Sequence, residues 1–141
     1  MGLSVPVQAA FGLAIAVAAS RPVALHDGRV KVIEPAAVAP GAWGEVSVTI
    51  LDRPMPGTPI ALSLESDHVV LPDNRLDGDD VVDPQAEQPR LLARVVAPGV
   101  PGEYRIRGRV EYVTCTVERC RPRTAYVEWH LVVRAPSRTR P

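Results

Sequence analysis

Aromatic side chains are scarce, with two tryptophans, three tyrosines and one phenylalanine in 141 residues. A core built from this chain cannot rest on ring stacking and has to be filled by valine, leucine, isoleucine and alanine. Lysine is almost missing: Lys31 apart, the basic residues are arginines, and the sixteen lysine and arginine residues together balance sixteen acidic ones. With no net field of either sign, nothing draws the chain to nucleic acid or to an anionic lipid surface. Cysteine is limited to Cys115 and Cys120, too few for a disulfide scaffold and wrongly spaced for a four-ligand zinc site. The sequence offers no Ser/His/Asp order, no phosphate-cradling glycine loop and no paired carboxylates beside a cleft, so hydrolase chemistry has no residues to rest on.

What is present points to strands. Fifteen prolines and ten glycines are dispersed among Val-rich runs, as many short strands with frequent turns require, and no long amphipathic helical period follows Ser20. The length suits one all-β domain over residues 21–134, with 135–141 as a tail. Val30 and Val32 alternate after His26-Asp27-Gly28, whose Asp-Gly step signals a tight turn. Val46, Val48 and Ile50 form a clear strand. Ile60, Leu62 and Leu64 form the next, expected to run antiparallel to it because the Pro-rich connection is too short for a crossover. Residues 66–89 read as a long polar loop, and 91–96 as another short strand. This spacing of strands and turns predicts an immunoglobulin-like antiparallel β-sandwich.

Residues 102–134 carry the most information. Tyr104, Ile106, Val110 and Tyr112 share one parity and Arg105, Arg107, Arg109 and Glu111 the other, the period of a half-buried strand. Ala125, Val127, Trp129, Leu131 and Val133 repeat the pattern, so the two runs make a C-terminal hairpin closed by the cysteines. Placing Cys115 opposite Cys120 sets Tyr104 against Leu131, Ile106 against Trp129 and Val110 against Ala125 on the core face. On the solvent face it sets Arg107 against Glu128 as a cross-strand ion pair, Arg109 against Tyr126 and Glu111 against Thr124. Both cysteines then share the parity of the arginines, away from the core. Pro122 falls at a site where its missing N–H costs the ladder nothing.

Other constellations are weaker. Residues 3–19 are apolar and Ala-rich, with small residues near Ser20 but no basic leader and a break at Pro6. They read either as a secretory signal or as a first strand over residues 11–17, and any membrane association would run through this segment as signal or anchor. Asp73, Asp77, Asp79, Asp80 and Asp83 lack the alternation of a calcium loop. His26, His68 and His130 are scattered without ligand spacing, so no metal or cofactor is expected.

The cysteine pair itself admits two readings. It is a staple at the end of a hairpin, or it is an exchangeable disulfide in which Arg119 and Arg121, with Arg123, favour the thiolate while Glu118 opposes it. The segment VEYVTCTVERCRP, residues 110–122, resembles the redox segment of the N-terminal periplasmic domain of the thiol:disulfide interchange protein DsbD. A strand ends in tyrosine (Tyr112), then come a cysteine (Cys115), four intervening residues, a second cysteine (Cys120) and a nearby proline (Pro122). The resemblance implies an immunoglobulin-like domain in a bacterial periplasm, acting as a thiol:disulfide oxidoreductase. Its partner would be a thioredoxin-like protein or a DsbD-type membrane protein, with Cys120 the sulfur that bonds it. The alternative is a secreted binding or assembly module in which the disulfide is structural.

Overall fold

A computed structural model describes residues 2–4 and 27–136, and the signal-or-strand reading of the N-terminal segment lies outside them. Eight strands follow: β1 (Val30–Ile33), β2 (Trp43–Ile50), β3 (Ala61–Glu65), β4 (Arg75–Leu76), β5 (Val81–Val82), β6 (Arg90–Val96), β7 (Gly102–Cys115) and β8 (Cys120–Val133). They form two antiparallel four-stranded sheets, one in the order β1-β2-β6-β5 and the other β4-β3-β7-β8. This is the immunoglobulin-like arrangement, with its A-B-E-D strands in one sheet and its C-F-G strands in the other. The equivalent of its tyrosine corner is also present, because Tyr104 near the start of β7 donates its hydroxyl hydrogen to the Val100 carbonyl four residues upstream.

The alternation read from the sequence becomes the core. Val46, Val48, Ile50, Leu62, Leu91, Val95, Ile106, Val110, Ala125, Trp129 and Leu131 are at most 1 % exposed and belong to one cluster between the sheets. Trp129 ties the sheets together by donating its indole N–H to the Ser47 carbonyl of β2, 2.9 Å away. The hairpin register is the expected one throughout: Tyr104 faces Leu131, Ile106 faces Trp129, Val110 faces Ala125 and Cys115 faces Cys120.

Four expectations need correction. β3 does not pair with β2; the connection over residues 51–60 carries the chain into the other sheet, where β3 lies between β4 and β7. Prolines in that connection cannot continue a ladder, and Gly57 with φ 78° turns the chain. The polar segment 66–89 is not wholly irregular, since it holds β4, β5 and a 3-10 turn over Gly78–Asp80. Asp77 and Asp80 serve that turn as a capping box, which gives part of the acidic cluster a local structural use. Asp27-Gly28 forms no tight turn but lies along β8, where both amides donate to the Thr124 carbonyl. Finally, Arg107 faces Glu128 in register yet pairs with Glu65 (3.1 Å) and Asp67, while Glu128 pairs with Arg105. Long exposed side chains choose among several neighbours, each such pair being worth under about 1 kcal/mol.

Gly108 marks a tight point of the core. A β-carbon there would come within 2.9 Å of both the Trp129 ring and Val127. Gly108→Ala should therefore cost about 1–3 kcal/mol of overpacking. In urea denaturation its midpoint should fall clearly, whereas Gly99→Ala, with nothing within 4 Å, should leave it nearly unchanged.

Candidate functional site: the cysteine hairpin

β7 and β8 are long enough to carry their tip past the neighbouring strands, because β3 pairs with β7 only as far as Glu111. Beyond that point the ribbon ends in the Cys115–Cys120 disulfide, with Cα atoms 3.9 Å apart, and a four-residue turn. The Thr116 amide donates to the Arg119 carbonyl at 2.9 Å, so the pair just past the cysteines is hydrogen-bonded and the cysteines occupy a non-hydrogen-bonded site. Pro122, opposite Val113, lies at the next site of the same class. There the Val113 carbonyl points away from β8 and accepts the Met55 amide at 2.8 Å from the β2–β3 connection.

Alternation gives the overhanging ribbon two unlike faces. Val113, Cys115, Cys120 and Pro122 share the outer one, above a shallow concavity of about 260 Å³ whose lining mixes Pro59, Ala61, Val113 and Pro122 with polar groups such as Arg75 and Glu111. Thr114, Arg121 and Arg123 share the inner one. There Thr114, Thr116 and Arg123 border a polar concavity of about 320 Å³ together with Asp27, Arg29 and Asp52. Cys120 is exposed and Cys115 half-buried, and Val117 at the extreme tip is fully exposed. Arg119 and Arg121 are also exposed; Arg121, one residue from Cys120, leaves the strand on the opposite face, so its charge acts through the backbone's thickness rather than beside the sulfur.

Tyr112 does not reach the disulfide. It is 2 % exposed and turned inward, donating its hydroxyl hydrogen to the Asp52 carboxylate and accepting the Arg29 amide at 2.9 Å. Burial, reinforced by the hydrogen bond to Asp52, pushes its phenol well above the ordinary value and keeps it a neutral donor. Its work is to root the ribbon. A second root lies on β8: the Thr124 amide donates to the Asp27 carboxylate at 2.9 Å, and Arg123 bridges Asp27 (3.5 Å) and the Thr114 hydroxyl (3.0 Å). The Thr124 amide, helped by Arg123 and Arg121, holds the Asp27 carboxyl below its usual value.

Asp27, Arg29, Asp52 and Arg123 were invisible as a group in the sequence, because their contacts to the hairpin span up to 97 positions and follow no local pattern. The two described histidines do not converge. His68 meets Tyr104 edge-on, His130 sits between Glu103 and Glu128, and His26 lies outside the described residues. Among the described residues no three potential ligands gather into a metal centre. No protein-family model matches the chain, and no curated protein is similar to it in sequence.

Folding depresses the Asp27 pKa, so its contribution is present above the unfolded carboxylate value and disappears as pH falls through the folded one. The melting temperature should therefore drop as pH is lowered from about 5 toward 3. Asp27→Asn should flatten part of that drop, and equal slopes in the two proteins would remove Asp27 from the contacts that root the ribbon.

Proposed function

We propose that this chain is an extracytoplasmic domain that exchanges electrons with a thioredoxin-like partner through Cys115 and Cys120. One observation carries the reading: the disulfide stands at the tip of an overhanging ribbon, outside the core, with Cys120 exposed. An exposed disulfide is open to attack by another protein's thiolate. A dedicated staple has a weak rationale here. Closing so short a loop is worth about 2 kcal/mol of chain entropy, no more than burying one leucine, and the ladder already continues past the cysteines to Thr116 and Arg119. Among the described residues no helix is long and apolar enough to cross a membrane. A persistent disulfide fits an oxidising compartment such as a bacterial periplasm.

The exchange balances in two steps. A partner thiolate attacks the Cys120 sulfur, forming an intermolecular disulfide and releasing Cys115 as a thiolate. The partner's second thiolate then attacks its own sulfur in that bond, releasing Cys120. The partner leaves oxidised and this chain holds two reduced cysteines, two electrons having passed. Run in reverse, the Cys120 thiolate attacks a disulfide partner and Cys115 resolves the adduct. Arg119, exposed in the turn and next to Cys120 in the chain, favours the charged form of that sulfur, whereas Arg121 and Arg123 lie on the opposite face and Arg123 is committed to Asp27.

The reduction potential of the purified chain should lie above about −300 mV, in the range of exchangeable rather than structural disulfides. Cys115→Ser, which leaves Cys120 free, should trap a mixed disulfide with a thioredoxin-fold protein more readily than Cys120→Ser does. A lower potential together with no adduct from either variant would assign the bond to structure alone.

A further inference from the structure

A broad concavity of about 610 Å³ lies away from the cysteines on the outer face of the β1-β2-β6 sheet. Its origin is topological. β1 stops at Ile33 opposite Ser47, and the chain leaves this sheet to pair Val38 with Val133 of the other one. Residues Trp43 to Glu45 of β2 are thus flanked by β6 on one side and by no strand on the other. The opening this leaves is bordered by Trp43, Glu45, Ser47, Arg90 and Arg94.

The chemistry of these groups is specific. Arg94 lies opposite Glu45 in register but stacks on Trp43, its guanidinium carbon 4.5 Å from the ring centroid. Stacking covers one face of the indole and leaves the guanidinium N–H edge exposed. Trp43 is nevertheless 52 % exposed, so its other face is open. Among the described residues Glu45, Arg90 and Arg94 form no ion pair, although ion pairs are plentiful on the other sheet. Two carboxylates, Glu34 and Glu45, balance two guanidiniums, so a charged ligand would gain little from the site's overall field.

We propose that this concavity binds an uncharged saccharide. A sugar ring has an apolar face of C–H groups, which an open indole face receives, and a rim of hydroxyls. Glu45 accepts charge-assisted hydrogen bonds from those hydroxyls, and Arg90 and Arg94 donate them to the hydroxyl oxygens. An aromatic platform with a few polar groups lining one concavity is the general signature of a small-ligand site. The site is independent of the disulfide and stands or falls without it.

The two tryptophans make the test direct, since Trp129 is 0 % exposed and acrylamide quenching therefore reports Trp43. The full chain is titrated with cellohexaose, chitohexaose, xylohexaose and maltohexaose while Trp43 quenching is followed. At least one sugar should protect Trp43 saturably. By isothermal titration calorimetry, Trp43→Ala should weaken that binding by about tenfold or more while Trp43→Phe retains most of it. Arg94→Ala and Glu45→Gln should each weaken it without moving the thermal midpoint, and a Cys115→Ser/Cys120→Ser double variant should bind like the parent. Protection by none of the sugars, or affinity unchanged in Trp43→Ala, overturns the assignment. So does protection by a Val/Thr-rich hexapeptide in place of any sugar, which would instead mark the β2 edge as a strand-addition site.

Discussion

The fit of Trp129 over Gly108 is the contact on which the rest of the architecture depends. The indole occupies the space a β-carbon would need and reaches across the sandwich to the Ser47 carbonyl, so one side chain joins the sheets and fixes how β7 lies against β8. Side chains alternate with a period of two, and a slip of one residue along this ribbon would send its whole apolar row into solvent. The same slip would separate Cys115 from Cys120. Packing in the middle of the molecule therefore decides whether two sulfur atoms meet at its end.

From that joint outward, control passes from apolar packing to polar contacts. Past Glu111 the ribbon has no neighbouring strand, and its hold on the body comes from Tyr112 with Asp52 and Arg29, from Asp27 with Thr124 and Arg123, and from the Met55 amide at Val113. These contacts lie on the inner face or along the edges, which leaves the outer face, with both cysteines, unencumbered. The ribbon is thus fixed from one side while its other side is presented to solvent.

Much of this was legible from residue types alone. Alternation gave the strands, and the demand that every apolar side chain of 102–134 face one way left a single register for the hairpin, down to Pro122 opposite Val113. What the sequence concealed were choices between partners of similar energy. Arg107 has carboxylates at Glu65, Asp67 and Glu128 to choose from, and no pattern along the chain ranks them. Asp27-Gly28 has the composition of a turn, yet a distant carbonyl at Thr124 takes its amides. The β2–β3 connection has the length of a hairpin loop but crosses the sandwich, because β2 and β3 each find other strands on both sides. The candidate site divides the same way: cysteines, arginines and proline are local and readable, while the residues that root the ribbon come from far along the chain.

β8 forms one border of its sheet and runs for fourteen residues, long enough to template another chain. It is met at Thr124 by Asp27 and Gly28, at His130 by the Glu34 carboxylate, and at Val132 and Arg134 by Val38. Two of these three come from outside any strand of the sandwich and the third is an isolated bridge. The chain is thereby denied its easiest route into fibres, since a growing cross-β stack would have to strip these contacts before its first rung could form.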